Sequence, residues 1–239
     1  MANLSVNINK IALIRNSRGG NNPDIIRAAV FIQQFGADGI TVHPRPDERH
    51  IRYSDIPLLK EVTKNELNIE GNPRESKFIQ LVLDHQPAQV TLVPDSNDQL
   101  TSDHGWDTIK NQKFLIEMSD LFKKHGIRCS IFVDPDIKMI EGAHECGAER
   151  IELYTESYAH HYHKNKEEAI KDYVLAAQKA YELGLGINAG HDLNLDNLAY
   201  FNQQIPFLDE VSIGHALVCD ALYLGLENTV SMYKRALIK

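Results

Sequence analysis

Short runs of β-branched and aliphatic residues alternate along the chain with longer amphipathic segments. The runs with the length and composition of buried strands are LSVNI, GITVH, ELNIEG, QVTLVP, RCSIFVD, RIELYTE, GINAGH and DEVSIGH. Between them lie segments with apolar residues at helical spacing, such as PDIIRAAVFIQQFG, KNQKFLIEMSDLFKKHG and NKEEAIKDYVLAAQKAYELG. A further helix is expected from about Cys219. The alternation predicts parallel strands joined by helical crossovers.

The junctions between helices and strands favour one architecture. In FGADGI, HGIRC, CGAERI and LGLGI a glycine ends the helix and the next strand begins a few residues later. Repetition of this unit predicts an α/β fold, a (β/α)8 TIM barrel formed by residues 1–239 as a single domain. An open doubly wound sheet is the alternative, but no G-x-G-x-x-G motif follows the first predicted strand.

Composition narrows the class of partner. The formal net charge of −8 over 239 residues disfavours nucleic acid or an anionic membrane surface as a partner. The three cysteines, Cys129, Cys146 and Cys219, have no C-x-x-C spacing, which argues against a disulfide framework or a zinc ribbon. Neither a leader-like start nor a run of 18 apolar residues is found. We expect a cytoplasmic protein without a nucleic-acid or membrane partner.

Polar and titratable residues stand where the predicted strands end, which is the active face of a TIM barrel. Along the chain they are Asn7, Asn9, His43, Glu70, Asp134, Glu152, Asn188, His191 and His215. Carboxylates and imidazoles are costly to bury without partners, so several of them at one rim are hard to explain as packing alone. The pattern predicts acid/base machinery at this rim.

Other segments at the same rim indicate a phosphorylated ligand. The turns NAGHDL and SIGHAL follow the last two predicted strands, where TIM barrels usually bind phosphate, and their glycines permit close approach of backbone N–H groups. The loop RNSRGGNNPD after the first strand is expected to bring Arg15 and Arg18 to this face. The loop 95–108, with Thr101 and Trp106, is long enough to act as a lid.

Two other classes of function remain open from the residues alone. A different phosphosugar-processing TIM-barrel isomerase or Schiff-base aldolase would share the phosphate turns, and an aldolase would need a lysine at a strand end, for which Lys10 is the candidate. A metal-binding or non-catalytic assembly protein could use His160, His161 and His163 as ligands, but no carboxylate or thiolate obviously completes that set.

The motifs VNINKIALIRNSRGG, GADGITVHPRPDERHI, LNIEG, TLVPD, RIELYTE, NAGHDL and VSIGHAL together resemble the pyridoxine 5′-phosphate synthase family. The resemblance runs in collinear order from about Ser5 to Leu237. It implies a barrel with accessory helices, assembly into a homo-octamer, and a transferase reaction of vitamin B6 biosynthesis without metal or organic cofactor. The implied substrates are 3-amino-2-oxopropyl phosphate and 1-deoxy-D-xylulose 5-phosphate, and the products are pyridoxine 5′-phosphate, phosphate and water.

The resemblance also implies roles for individual residues. His43 and Glu70 would accept protons, His191 would donate one, and Glu152 would stabilise charge. The aminoketone phosphate would contact Asn7, Arg18, Asp192, Gly214 and His215. The deoxyxylulose phosphate would contact Asn9, Lys10, Arg45, His50 and Thr101.

Three of these positions depart from the family pattern. Asn9 stands where aspartate is expected, and it can accept a hydrogen bond but cannot take a proton. Lys10 replaces a histidine and is a cation rather than a neutral donor. Asp192 replaces a glycine whose backbone faces phosphate, so its carboxylate is expected to point away from the ligand, because it would otherwise repel it.

Overall fold

Parallel strands close into a barrel in this computed structural model, which describes residues 1–96, 99 and 101–239. The strands pair in sequence order, and the last pairs with the first, with Asn3 opposite Glu210. They are β1 (Asn3–Asn7), β2 (Gly39–Val42), β3 (Glu66–Gly71), β4 (Gln89–Leu92), β5 (Arg128–Val133), β6 (Arg150–Tyr154), β7 (Gly186–Gly190) and β8 (Glu210–Ile213). The predicted TIM barrel is confirmed.

Helices pack around the outside of the barrel. They are α1 (Asn9–Asn16), α2 (Ile25–Gln34), α3 (Ile56–Val62), α4 (Ser76–His85), α5 (Gln112–Lys124), α6 (Ile137–Glu145), α7 (Glu156–Tyr162), α8 (Lys166–Ala169), α9 (Lys171–Glu182), α10 (Leu198–Gln204), α11 (His215–Leu224) and α12 (Leu226–Ala236). A 3₁₀ turn, Tyr53–Asp55, precedes α3. The predicted glycine stops are confirmed, because Gly36, Gly126, Gly147 and Gly184 all have positive φ just beyond a helix.

Some local expectations are wrong. Asn9 does not belong to the first strand; it opens α1. The segment that begins RNS is not all loop, because its first residues complete that helix. The C-terminal helix starts at His215 rather than near Cys219, and Gly225, at φ 78°, separates it from α12. The predicted lid 95–108 includes residues 97, 98 and 100, which lie outside the described residues.

The interior of the barrel is polar. In many TIM barrels branched apolar side chains fill this space. Here the strands bury a polar set that includes Ser5, Thr41, Asn68, Thr91, Ser130, Glu152, Asn188 and Ser212. Hydrogen bonds link neighbours in it, including Ser5 Oγ with Thr41 Oγ1 at 2.7 Å. The strand residues between them, such as Leu4 and Val6, are buried in the apolar core that the helices cover.

A charged layer lies at the amino end of the barrel. Arg128 pairs with Glu66, and the Arg150 guanidinium lies 3.8 Å from Glu66 and 3.9 Å from Glu210. Asn188 Nδ2 donates to Glu210 Oε1 at 3.1 Å. Burial raises the pKa of Glu210 to about 8, and the Glu66 charge adds to this effect. The Glu210 carboxyl is therefore largely protonated in the folded protein at neutral pH.

This raised pKa predicts how Glu210→Gln changes stability. In the unfolded chain the carboxyl ionises with a pKa near 4.5, so between that pH and about 8 the folded state keeps a proton that the unfolded state has lost. The free energy of unfolding of the parent protein therefore falls as pH rises from about 4.5 to about 8, because ionising the buried carboxyl disfavours the folded state. We expect the variant to gain roughly 1–3 kcal/mol relative to the parent between pH 5 and pH 9.

Urea denaturation across this pH range measures the difference. Glu117→Gln, at an exposed position on α5, is the matched control and should show no such trend. A constant difference between Glu210→Gln and the parent at every pH would contradict the assignment.

Candidate active site

Two carboxyl groups face each other at the carboxyl end of the barrel. Glu70 lies on β3 and accepts a hydrogen bond from Asn7 Nδ2 at 3.3 Å. Burial raises the pKa of Glu70 well above its usual range, and the negative charge of Glu152 raises it further, against a lowering by Arg45. Burial also raises the pKa of Glu152, to about 7, while His191 opposes that rise. At neutral pH the pair holds a proton that it can exchange with a ligand.

Two imidazoles form the second part of the site. His43 directly follows β2, and its backbone N–H donates to Asn9 Oδ1 at 2.9 Å. Burial lowers the pKa of His43 well below its usual range, and Arg45 adds to the effect. Burial likewise lowers the pKa of His50 to about 4. Both rings are therefore neutral at pH 7, and a neutral His43 can accept a proton.

The tautomer of His50 follows from its backbone contact. Its Nδ1 accepts a hydrogen bond from the N–H of Ile51 at 3.0 Å, so in the neutral ring the proton is on Nε2. Lys10, in the first turn of α1, is close enough for its charge to lower the pKa of His50. His50 can thus donate one hydrogen bond to an anion while Lys10 and Arg45 supply positive charge.

Arg45 is held by the loop that follows β4. Its guanidinium pairs with the buried carboxylate of Asp95 and donates to the carbonyl of Gln99 at 3.1 Å. Ser102 Oγ donates to the same carboxylate at 2.8 Å. A small cleft beside His43 and Arg45 is also lined by Asp95 and Ser96. Sequence reasoning missed Asp95, although its place just after the fourth strand was a usable signal.

A buried ion pair between Arg15 and Asp55 orders the segment that carries His50. Arg15 lies inside α1, where both terminal nitrogens reach the Asp55 carboxylate, at 2.8 and 2.9 Å. Nη2 also donates to the carbonyl of His50 at 3.0 Å. Asn16 Nδ2 donates to the same carbonyl at 2.7 Å. Arg15 therefore lies beside the segment that carries His50, and its buried guanidinium orders that segment rather than extending into solvent.

His191 lies in a strained turn after β7. Its φ is 72°, a value that non-glycine residues adopt rarely and often at functional sites. Nδ1 lies 2.6 Å from Asp192 Oδ2, and Nε2 lies 2.8 Å from Thr101 Oγ1. The Tyr154 ring packs edge-on against the imidazole, with centroids 5.5 Å apart. The ring orientation of His191 is thus fixed on three sides.

The two glycine turns bring strand ends into close contact. A Cβ at Gly190 would lie 2.3 Å from the carbonyl oxygen of Ser212, and one at Gly214 would lie 3.0 Å from Asn7 Cβ. Gly214 is the N-cap of α11, and His215 is the first residue of that helix, exposed at its amino end. These turns therefore need glycine for packing, whether or not a ligand is bound.

Other predicted residues lie further from this cluster. Arg18 is exposed in the turn after α1. The Asn188 side chain is bonded to Glu210, in the charged layer at the amino end of the barrel, rather than to the residues around Glu70. Asp134 Oδ2 accepts from the backbone N–H of Gly105 at 3.2 Å. The rim is thus narrower than the strand-end residues alone suggested.

The geometry does not support a metal site formed by His160, His161 and His163. All three side chains are exposed at the end of α7 or just beyond it. Within residues 1–96, 99 and 101–239, no group of three or more His, Cys, Asp or Glu side chains is arranged to hold a metal ion.

Among the helices of that same part of the chain, none combines the length and apolarity needed to cross a membrane.

Residues 4–239 match the model of the family described as Pyridoxal phosphate biosynthesis protein PdxJ. The chain belongs to the PdxJ family. It is 63% identical over 239 residues to the pyridoxine 5′-phosphate synthase of Cytophaga hutchinsonii, covering 100% of both chains. It is 60% identical over 237 residues to the enzyme of that name from Flavobacterium johnsoniae, covering 99% of this chain and 100% of the relative. The resemblance carried by the sequence motifs is confirmed.

Solved structures of other proteins superpose on this chain and support the barrel fold. Tryptophan synthase from M. tuberculosis superposes with a TM-score of 0.66 at 13% identity, covering 100% of this chain and 93% of that one. Phosphoribosylanthranilate isomerase from Thermotoga maritima gives a TM-score of 0.61 at 14% identity, covering 99% and 98%. At such identities the likeness concerns the TIM barrel alone.

Proposed function

We propose that this chain condenses 3-amino-2-oxopropyl phosphate with 1-deoxy-D-xylulose 5-phosphate to give pyridoxine 5′-phosphate, phosphate and water. Relatives at 60% identity and above carry the name of that activity. The structural observation that supports it is the pairing of a neutral His43 with two carboxyl groups of raised pKa at one rim. Condensation, dehydration and ring closure each need a proton moved, and a neutral imidazole beside carboxyl groups of raised pKa can accept and donate protons.

Each side chain has a role that its protonation state permits. The amine of the first substrate carries a positive charge, which favours ionisation of Glu70, so that Glu70 can take the proton that the amine loses before it attacks the ketone. His43, neutral and buried, accepts a proton during enamine formation. His191 gives a proton to a leaving oxygen. Glu152 stabilises the positive charge of the imine stage.

The phosphates have separate binding regions in this proposal. The aminoketone phosphate binds at the amino end of α11, where free N–H groups and the helix dipole attract anions. Its contacts are Asn7, Arg18, Asp192, Gly214 and His215. The phosphate of the deoxyxylulose substrate, which is later expelled, binds near the strand 2 loop. Contacts to that substrate come from Asn9, Lys10, Arg45, His50 and Thr101.

Assembly is part of the proposal. Large apolar side chains are exposed on two helices that pack together, α1 and α11; they are Leu13, Ile14, Leu222, Tyr223 and Leu224. Such surfaces are typical of interfaces between protein chains. We propose that residues 1–239 act as one domain and form a homo-octamer in the cytoplasm, where the free Cys129, Cys146 and Cys219 stay reduced. Light scattering coupled to gel filtration gives the number of copies.

An assay with both phosphorylated substrates tests the reaction. We expect pyridoxine 5′-phosphate, detected by mass, and one equivalent of phosphate per product, with neither formed when one substrate is omitted. Borohydride trapping of a single substrate on Lys10, without any ring product, would instead favour a Schiff-base aldolase.

Arg45→Ala tests the division between the two phosphate regions. Loss of this charged donor should weaken binding of deoxyxylulose 5-phosphate by roughly 1.5–3 kcal/mol, with little effect on the aminoketone phosphate. Arg18→Ala is the reciprocal variant and should weaken only the aminoketone phosphate. Calorimetric titration of each variant with each ligand measures this. Equal losses for both ligands in Arg45→Ala would show that the segment has a general structural role.

A further inference from the structure

The carboxylate of Asp192 points at His191 rather than into open solvent. Asp192 Oδ2 lies 2.6 Å from His191 Nδ1, and both side chains are about one-third exposed or less. The other ring nitrogen, Nε2, lies 2.8 Å from the Thr101 hydroxyl. This arrangement also resolves the expected repulsion of phosphate, because the charge is directed to the imidazole.

The backbone of the turn fixes this contact. The N–H of Asp192 donates to the carbonyl of Gly190 at 3.1 Å and to Thr155 Oγ1 at 3.3 Å. Thr155 is fully buried, and its hydroxyl donates to that same carbonyl of Gly190. Asn197 Nδ2 donates to the carbonyl of Asp192 at 3.4 Å. The turn is therefore held at several points, and the carboxylate keeps its place beside the ring.

We propose that Asp192 is a positioning residue for His191 that fixes its tautomer. A carboxylate beside Nδ1 can only accept, so Nδ1 carries the proton and Nε2 is left as the reactive nitrogen. In the neutral ring Nε2 accepts from the Thr101 hydroxyl. In the imidazolium Nε2–H is the proton to be given away, and Nδ1–H stays bonded to Asp192 throughout.

The transfer conserves protons and charge. The bond Nε2–H breaks, the proton passes to a leaving oxygen of the substrate, and the ring returns to the neutral Nδ1–H state. The identity of that oxygen rests on the proposed function, but the tautomer does not. The groups that face the ring are Thr101, Asp192 and, from β6, Glu152 and Tyr154. Of these, Asp192 is the carboxylate that bonds Nδ1.

Nitrogen NMR of the ¹⁵N-histidine-labelled protein tests the tautomer directly. In the parent we expect the neutral ring of His191 to show a protonated Nδ1 and an unprotonated Nε2. In Asp192→Ala the ring should move to the Nε2–H tautomer that free imidazoles prefer. Asp196→Asn, at an exposed position in the same loop, is the control and should leave the His191 signals unchanged. Unchanged signals in Asp192→Ala would overturn the proposal.

Kinetics separates positioning from substrate binding. We expect Asp192→Ala to lower kcat by about 10- to 100-fold, because a misplaced acid loses much of its effect. KM for deoxyxylulose 5-phosphate, which Asp192 does not contact in the proposed function, should change by less than about threefold. Asp192→Asn, whose amide oxygen still accepts from Nδ1–H, should recover part of kcat. A lower KM at unchanged kcat would show that the carboxylate merely repels phosphate. If the parent makes no pyridoxine 5′-phosphate, the proposed reaction fails while the NMR result still decides the tautomer.

Discussion

Glu70→Gln is expected to lower turnover by about 100-fold or more while both substrates still bind. Glutamine keeps the shape of the side chain and one acceptor oxygen, so the hydrogen bond from Asn7 Nδ2 can persist. It cannot take or give a proton, whereas the Glu70 carboxyl, whose pKa burial raises well above its usual range, can do both. The loss should therefore be in kcat rather than in KM.

Steady-state assays with each substrate varied in turn measure this effect. Glu66→Gln provides the control, because Glu66 lies on the same strand at the opposite end of the barrel, paired with Arg128. The control should retain most of kcat at temperatures where it stays folded. Near-normal turnover in Glu70→Gln would return Glu70 to a structural role and leave His43 as the principal base.

Arg15→Met is expected to destabilise the protein by about 3–5 kcal/mol, since it leaves the Asp55 carboxylate without its partner. The pair is buried, and Arg15 also holds the carbonyl of His50. Methionine fills much of the space but donates no hydrogen bond. The segment that carries His50 should therefore loosen, and affinity for the deoxyxylulose substrate should fall along with stability.

Chemical denaturation of Arg15→Met and two further variants separates the effect of the lost charge from the effect of the changed side-chain volume. Arg235→Met, at an exposed position on α12, should change the free energy of unfolding by less than about 0.5 kcal/mol. The double variant Arg15→Met with Asp55→Asn removes the orphaned charge and should recover part of the loss. A small effect of Arg15→Met alone would mean that Asp55 is satisfied by the N–H of Arg52, at 2.7 Å, and by solvent.

The barrel and much of its rim could be predicted because their signals are local. Strand alternation fixes which residues face inward, and parallel strands bring their carboxyl ends together. His43, Glu70 and Glu152 were therefore assigned to one rim from their positions alone. The resemblance to a known family then supplied roles that spacing could not.

Contacts between distant segments could not be predicted in this way. Arg15 and Asp55 are 40 positions apart, and Arg45 and Asp95 are 50 apart, with no periodic signal joining either pair. The first helix, α1, was not predicted although its residues carry a local signal. Ile11, Ala12 and Arg15 are its buried residues, and their spacing of one and three is helical. The two glycines that follow, Gly19 and Gly20, are typical of a loop and obscure this signal.

The polar lining of the barrel separates the residues that stabilise the fold from the candidate acid/base groups. The apolar core of this protein is a shell between strands and helices, so the stability of the fold depends mainly on outward residues such as Leu4, Val6 and Ile40. The candidate acid/base groups Glu70 and Glu152 lie on the inward face instead. Because inward and outward positions alternate along each strand, a substitution on the inward face can change the chemistry of the barrel while the apolar shell around it stays intact.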